Sequence, residues 1–226
     1  MVMKIDLHVH THYSIDSITN PKDLAKKSAN LGVIPAVTDH NSLNSHDELR
    51  KLGMKFIPGE EVSTDRGDLI GLYLNEAIPR RTSFEETLDR IHAQGGLAYL
   101  PHMYDYIRKG VIPSALEAKK IDIIEIFNCR CLDASYNDRA RDFAIAYGVP
   151  GAVGTDSHYI FEFGKSYTEV PDFDLDNPKA LLGALKSNSV KFVAKRAPFY
   201  VRGTTSMIAV GKKIARKLFP DKKKST

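Results

Sequence analysis

The stretch Asp6-Leu7-His8-Val9-His10-Thr11-His12-Tyr13-Ser14-Ile15-Asp16 places three histidines at alternating positions beside two carboxylates. The apolar residues before and within it predict a buried strand over residues 2–9. Side chains two apart on a strand point to the same face, so His8 and His10 should project together, about 6 to 7 Å apart along the chain. That spacing suits two imidazoles that bind one metal ion, whereas surface histidines at a strand end are the less favoured alternative.

Three further clusters of metal-binding residue types follow apolar runs later in the chain. One His-x-His pair alone would be weak evidence, but four His/Asp/Glu clusters, each at the carboxyl end of a predicted strand, indicate a site for more than one metal ion. The later clusters are Thr38-Asp39-His40-Asn41, Gly59-Glu60-Glu61 and Gly154-Thr155-Asp156-Ser157-His158.

Apolar strand patterns alternate with helical patterns along the chain, which predicts β/α units around a parallel sheet. Polar residues collect at the carboxyl ends of the strands, as they do at the active face of a β/α barrel. No glycine-rich phosphate loop is present, which disfavours a nucleotide-binding open sheet. The fold class is therefore predicted to be α/β, a seven-stranded barrel with strands at 2–9, 33–38, 55–62, 69–74, 97–101, 121–127 and 149–155.

Charge is distributed unevenly along the 226 residues. Residues 191–226 hold eleven Lys or Arg and one acid, a balance of +10, so the formal net charge of +4 leaves −6 for residues 1–190. We expect a barrel over residues 1–195 and a basic C-terminal helix and tail over 196–226, either part of the same domain or flexible. A polyanion-binding patch for nucleic acid is one interpretation of this basic segment, and a solvated helix face with a frayed end is favoured over it.

No apolar run approaches the ~18 residues that span a bilayer. The start of the chain lacks a signal-peptide pattern because its apolar run is short and contains Asp6. Cys129 and Cys131 are poorly spaced for a mutual disulfide, which favours reduced thiols. The sequence therefore predicts a cytoplasmic protein without a membrane partner.

The motifs together resemble the PHP (polymerase and histidinol phosphatase) superfamily of metal-dependent phosphoesterases. Asp6 to Thr11 is similar to the first family motif, the cluster around His40 to the second, and the cluster around Asp156 to the fourth. Leu100-Pro101-His102 resembles the third, although Met103 stands where the family usually has proline. The resemblance covers about residues 3–170 and implies a distorted seven-stranded TIM-like barrel that holds two or three divalent ions.

The resemblance also implies three ligand groups. The first metal would be bound by His8, His10, Glu60 and Asp156. Glu60 would bridge to a second metal, which His102 also binds. The third would be bound by Asp16, His40 and His158.

Two positions depart from the best-known family pattern. Asp16 stands where some relatives have histidine, and a histidine that often completes the second site is missing. Asp68 is a candidate replacement for it, and a turn residue after Gly67 is an equally weighted alternative. Arg130, which follows the sixth predicted strand, is a candidate bidentate phosphate clamp, with an ordinary surface arginine as the alternative.

The expected function is hydrolysis of a phosphomonoester, or of a nucleotide or oligonucleotide phosphodiester, by a metal-activated water. His8, His10, Asp156 and His158 would serve catalysis through the metals, and Arg130 through the phosphate. Histidine and carboxylate donors suit Zn²⁺, Mn²⁺ or Fe²⁺. A non-catalytic metal-binding module and a histidinol phosphatase are the retained alternatives, and an amidohydrolase acting on a C–N bond ranks low.

Overall fold

The computed structural model describes residues 2–218, apart from the side chains of three residues in the last helix. Within these residues nine strands form one sheet. The strands are β1 (Val2–Val9), β2 (Val33–His40), β3 (Ile57–Ser63), β4 (Asp68–Leu72), β5 (Leu97–Leu100), β6 (Ile123–Asn128), β7 (Gly151–Gly154), β8 (Tyr167–Pro171) and β9 (Lys191–Val193).

Helices occupy most of the connections between the strands. Asn20 and Ser83 cap two of them, because their side chains accept hydrogen bonds from the amides of Lys22 and Glu86. A single 3₁₀ turn, Tyr106–Arg108, follows β5. The helices are α1 (Pro21–Leu31), α2 (His46–Lys51), α3 (Phe84–Ala93), α4 (Ala115–Ala118), α5 (Ala134–Tyr147), α6 (Pro178–Leu185) and α7 (Phe199–Leu218).

The sheet runs in the order β7-β6-β5-β4-β3-β2-β1-β8-β9 and curves into a nearly closed barrel. Just beyond β7 the chain meets β1, where the amide of Asp156 donates to the carbonyl of His8 (2.8 Å) and the amide of His10 donates to the carbonyl of Ser157 (3.0 Å). This parallel contact closes the seven-stranded ring at the carboxyl end of β1. The predicted α/β barrel is confirmed.

Two details of the sheet differ from the uniform β/α alternation that the sequence pattern predicted. β4 is antiparallel to both of its neighbours, because only a tight turn joins it to β3, closed by the bond from the Thr64 amide to the Gly67 carbonyl (2.8 Å). A parallel neighbour would need a long crossover. The segment after residue 165 contains β8, which pairs antiparallel with β1 and carries β9 at its outer edge.

A β-bulge in β1 changes which of its side chains face the interior of the barrel. The pairing with β2 shifts register between Asp6 and Val9. Before the shift, Ile5 is buried in an apolar cluster with Tyr99 and Ile123. After it, His8 and His10 meet at the barrel mouth, with 3.0 Å between their Nε2 atoms. A bulge re-aims side chains in this way because the extra residue changes which face they occupy.

The last helix, α7, lies against the rim of the barrel. Tyr159 Oη donates to Thr204 Oγ1 (2.6 Å), and Val201 is buried. Over residues 2–218 no helix is long and apolar enough to cross a membrane. The lysine-rich end of the predicted basic tail, Lys222 to Lys224, lies outside the described residues.

Candidate metal centre

Nine side chains with metal-binding atoms converge at the barrel mouth. They come from almost every strand around the ring, because parallel strands end at the same edge and antiparallel β4 begins there. The set consists of His8, His10, Asp16, His40, Glu61, Asp68, His102, Asp156 and His158.

Glu61 lies at the centre of this group. Its Oε2 atom is 3.4 Å from His8 Nε2, 3.3 Å from His10 Nε2 and 3.0 Å from His40 Nδ1. Its Oε1 atom is 3.0 Å from His102 Nε2. The two oxygens of this carboxylate thus face different histidines, which is the arrangement a carboxylate needs to bridge two metal ions.

The structure does not bring Glu60, a predicted ligand, to the cluster, and the neighbouring Glu61 lies there instead. Side chains alternate along β3, and Glu61 pairs in register with His40 while Glu60 pairs with Asp39. The Glu60 carboxylate faces the other side of the strand and accepts a hydrogen bond from the amide of Ile78 (2.8 Å). Burial raises the pKa of Glu60 to about 7.

Asp16 lies in the loop after β1 and joins two histidines from distant parts of the sequence. Its Oδ2 atom is 3.3 Å from His40 Nε2 and 3.2 Å from His158 Nε2. His10, His40 and His158 also form one group whose nitrogens lie within 4.8 Å of one another. This arrangement brings together the three residues expected in the third ligand group and adds His10.

Asp156 and Asp68 are the two remaining carboxylates of the cluster. Asp156 Oδ1 is 3.7 Å from His8 Nε2 and 3.4 Å from His158 Nδ1. Asp68 shares a group with Glu61 and His102 whose atoms lie within 4.8 Å. The structure therefore places Asp68 beside the second predicted group.

Several buried atoms of the cluster are suited to bind the metal ions that the motifs imply. Glu61 Oε2, Asp68 Oδ1, Asp156 Oδ1 and His102 Nδ1 have no hydrogen-bond partner. A buried polar atom without a partner is costly, and native structures keep such atoms where a ligand satisfies them. Converging imidazole and carboxylate donors at separations of 3 to 5 Å are suited to divalent cations.

The titratable groups of the cluster shift one another's pKa values. Burial opposes protonation of His8, but Glu125 and Glu61 outweigh it and raise its pKa to about 9. Burial, together with the nearby rings of His158 and His40, holds the pKa of His10 well below its usual range. Although burial opposes ionisation of Glu61, His40 and His8 hold its pKa well below the usual range. These shifts favour the ionised form of Glu61 and the neutral form of His10, and they favour the charged form of His8, which would lose its proton on binding a metal ion.

Glu125 and Asn128 of β6 orient the donors from behind. Glu125 Oε1 is 3.0 Å from His8 Nδ1, and Glu125 Oε2 accepts from the amide of His102 (2.7 Å). Asn128 Nδ2 donates to Glu125 Oε2 (2.8 Å) and to Asp156 Oδ2 (3.0 Å). Partners of this kind fix the ring orientation of a ligand histidine. Sequence reasoning assigned neither residue a role in the site, although a carboxylate within an apolar strand was an available signal for Glu125.

Asp39 fixes the loop that follows β1. Its carboxylate accepts from the Thr11 amide (2.7 Å), Ser14 Oγ (2.8 Å) and Ser45 Oγ (2.6 Å). Ser14 Oγ in turn lies 3.1 Å from His10 Nδ1. Asp39 thus positions His10 through a serine hydroxyl.

Two members of the cluster have left-handed backbone conformations. His102 has a φ of 30° and Asp156 a φ of 53°. Such conformations cost free energy in residues other than glycine and are found preferentially at functional sites. The side chains of both residues lie beside His8, so the backbone strain is located at the cluster.

The cluster forms the floor of an open cavity of about 510 Å³. Arg108 and Lys109, from the 3₁₀ turn and the residue after it, line one side, and Ile107 and Leu132 contribute apolar surface. Arg108 forms an ion pair with Asp156 and donates to Asn128 Oδ1 (2.8 Å). Lys109 Nζ lies 3.6 Å from Asp68 Oδ1. These two cations were not among the residues singled out in the sequence.

Arg130 borders the same cavity, but its guanidinium is directed to other partners. It lies 3.3 Å from Glu162 Oε2 and donates to the carbonyl of Val201 in α7 (2.9 Å). Glu162 also accepts from the amide of His158 (3.0 Å). Arg130, the predicted phosphate clamp, therefore connects the His158 loop to α7.

Helix α7 forms the outer wall of the cavity through Gly203, Thr205 and Ser206. Further along the helix, Lys212 Nζ donates to three backbone carbonyls of the Asp16 loop, those of His12 (2.9 Å), Ser14 (2.8 Å) and Ser17 (2.6 Å). The wall is therefore attached directly to a loop that carries part of the candidate metal centre.

Comparison with known families identifies the class of protein. The sequence matches the PHP domain family over residues 6–129, more than half of the chain, and the PHP-associated family over residues 134–190. The chain therefore belongs to the PHP domain family.

Individual relatives agree with this assignment. The chain is 38% identical over 186 residues to the uncharacterized protein MJ0417 of Methanocaldococcus jannaschii, covering 79% of this chain and 75% of that protein. In structure it resembles a two-domain protein of Bacteroides vulgatus that contains a predicted PHP-like metal-dependent phosphoesterase (TM-score 0.70, 16% identity, 86% of this chain). This chain spans 65% of that protein.

A second solved structure with the same fold is a lesion-specific endonuclease from Pyrococcus furiosus. It matches with a TM-score of 0.58 and 20% identity, over 85% of this chain and 58% of the endonuclease. At this level of identity the likeness establishes the shared barrel.

Proposed function

We propose that this protein is a metal-dependent phosphoesterase whose catalytic ions bind at the nine-residue cluster. The observation that carries the proposal is the convergence of buried donor atoms without hydrogen-bond partners around Glu61, at the floor of an open cavity. Membership of the PHP family supports the same chemistry. Zn²⁺, Mn²⁺ and Fe²⁺ suit the mixture of imidazole and carboxylate donors.

The donor groups suggest how two or three ions would be held. His8, His10, Glu61 and Asp156 would hold one ion, and Glu61 would share a second with Asp68 and His102. Asp16, His40 and His158 would hold a third. When bound, divalent ions lower the pKa of a coordinated water and offset negative charge on phosphoryl oxygens.

The other residues of the site would fix and orient these donors. Glu125 holds His8 Nδ1, so that Nε2 points into the cluster. Asn128 holds Asp156 Oδ2 and leaves Oδ1 directed at the histidines. Ser14, held by Asp39, orients His10. Fixing donors before the reaction reduces the reorganisation needed as charge develops on the substrate.

Arg108 and Lys109 would bind the substrate phosphate in place of Arg130. Both line the cavity on the side of Asp156 and Asp68, and Arg108 has the planar donor geometry that matches phosphate oxygens. The cavity volume of about 510 Å³ is in the range of sites for small molecules. A phosphate ester of a small molecule or nucleotide is therefore the proposed substrate class, and a longer phosphodiester is the second candidate.

The test is hydrolysis of p-nitrophenyl phosphate and of bis(p-nitrophenyl) phosphate by protein stripped of metal and then supplied with Mn²⁺, Zn²⁺ or Fe²⁺. We expect turnover only after metal addition, and the preferred ester separates monoesterase from diesterase. Arg108→Met should lower kcat/KM by about tenfold or more because one charged contact to phosphate is lost. Arg141→Met, at an exposed arginine of α5, is the matched control.

Metal binding without turnover on either ester would favour a non-catalytic metal-binding module. Turnover that persists in fully metal-free protein would refute the proposed mechanism. Equal losses in Arg108→Met and Arg141→Met would remove Arg108 from phosphate binding.

A further inference from the structure

Helix α7 presents an apolar stripe to solvent. Met207, Val210, Ile214 and Leu218 are spaced three or four residues apart and therefore share one face of the helix. Their exposed fractions are 73%, 56%, 54% and 66%. The apolar face of a helix on a globular domain normally packs against the core, so the orientation of α7 is the reverse of the usual one.

Polar contacts hold the helix in this orientation. The opposite face carries Lys212, whose Nζ donates to three carbonyls of the Asp16 loop, and Thr204, which accepts from Tyr159 Oη. Arg130 donates to the carbonyl of Val201 near the start of the helix. Turning the stripe inward would break all of these hydrogen bonds, so the apolar face is fixed outward.

The exposed face is also basic. Lys213 and Lys217 are exposed and lie beside the stripe on the helix, within a segment, residues 191–226, whose charges sum to +10. An apolar stripe flanked by lysines is typical of helices that lie in the plane of an anionic bilayer surface. Such a helix needs no membrane-spanning length, so the absence of an 18-residue apolar run does not oppose it.

The start of α7 also reaches the mouth of the cavity. Gly203 and Ser206 of α7 line the cavity together with Ile107 and Leu132, which are 79% and 44% exposed. Exposed apolar residues are thus present both on α7 and at the cavity mouth.

We infer that the Met207–Leu218 stripe and its flanking lysines dock on an anionic lipid surface. A second copy of the chain is a poorer occupant, because pairing the stripes of two α7 helices brings lysines of like charge together. A nucleic acid is also a poorer occupant, because phosphate contacts with Lys213 and Lys217 leave the apolar stripe in water. An anionic lipid surface can bury the apolar stripe and attract the lysines beside it.

The experiment is flotation of the full chain with vesicles of phosphatidylcholine, with and without phosphatidylglycerol. We expect binding only when phosphatidylglycerol is present, and weaker binding at higher salt. Ile214→Glu should weaken the partition at least about tenfold, because it places a charge in the apolar stripe. The double substitution Lys213→Glu with Lys217→Glu should weaken it by a similar or larger factor.

Ile145→Glu is the matched control, since Ile145 is a 73% exposed apolar residue on α5. It should leave vesicle binding unchanged, and Ile214→Glu should leave hydrolysis of p-nitrophenyl phosphate unchanged. No binding to anionic vesicles, or equal losses in Ile145→Glu and Ile214→Glu, would overturn the inference. A dimer in sedimentation that Ile214→Glu dissociates would overturn it in favour of a second copy. Vesicle binding is measured without substrate, so it is independent of the proposed phosphoesterase activity.

Discussion

The floor and the outer wall of the cavity are built in opposite ways. On the floor, buried donors from separate strands are oriented by buried partners such as Glu125 and Asp39. The wall is one helix, α7, attached by a few polar contacts and apolar on its solvent side. The chemistry of the floor therefore depends on each donor side chain. The position of the wall depends on the few contacts that attach α7. Substitutions in the two regions should differ in size and in kind.

The largest effect is expected from a donor on the floor. His10→Ala should reduce metal-dependent hydrolysis of p-nitrophenyl phosphate by about 10³-fold or more, because His10 belongs to two of the donor groups. The fold should persist, since the barrel is held by its strands and apolar clusters; circular dichroism checks this. His92→Gln, at a partly exposed histidine, serves as the control. Full activity in His10→Ala would refute the metal mechanism.

A residue behind the donors should have the next largest effect. Glu125→Gln removes the charge that holds His8 Nδ1, and partners of this type contribute about 10- to 100-fold to metal affinity. Titration of metal-free protein with Mn²⁺ measures the change. Glu85→Gln, at an exposed carboxylate of α3, should leave the affinity unaltered. An unchanged affinity in Glu125→Gln would show that the strand alone positions His8.

The attachment of the wall to the floor can be tested with two adjacent lysines. Lys212→Met removes three hydrogen bonds to the loop that carries Asp16 and should lower kcat/KM by up to about tenfold, through misplacement of that loop. Lys213→Met removes the same charge from the exposed side of the helix and should have little effect on hydrolysis. Equal effects of the two substitutions would attribute the loss to net charge.

The smallest effect is expected at a surface pair outside both regions. A hydrogen bond with Asp122, at 2.9 Å, raises the pKa of His92. Its contribution to stability is therefore fully present below the ordinary pKa of about 6.5 and is lost as pH rises through the raised value. His92→Gln should lower the free energy of unfolding by about 0.2–1 kcal/mol in mild acid and by less above neutrality. Chemical denaturation at the two pH values measures this, and a larger loss at high pH would contradict the assignment.

Much of the fold and the floor could be predicted from the sequence because strand periodicity and donor-rich strand ends are local signals. His8, His10, His40, His102, Asp156 and His158 follow apolar runs and converge in the structure as the pattern predicted. The choice between Glu60 and Glu61 could not be made locally. Ile57 and Val62 are both buried and have opposite parity on β3, so the apolar pattern does not say which glutamate faces the barrel mouth.

The contacts that depend on distant segments were beyond the sequence pattern. Arg130 follows a strand, as a phosphate-binding residue would. Its partners, however, are Glu162 and Val201 of α7, which are 32 and 71 residues further along the chain. Arg108 reaches Asp156 from a 3₁₀ turn that has no strong sequence signal. The reversed orientation of α7 likewise follows from where Lys212 and Thr204 find partners, which helical periodicity does not determine.

The most direct test of the central claim is the metal content of Glu61→Gln and Glu60→Gln, measured beside the unaltered protein by elemental analysis. Glu61 faces four histidines, whereas Glu60 faces the amide of Ile78. The account predicts two or three ions per chain in the unaltered protein, the same number in Glu60→Gln and at least one fewer in Glu61→Gln. Loss of metal in Glu60→Gln with full retention in Glu61→Gln, or no metal uptake by the unaltered protein, would contradict it.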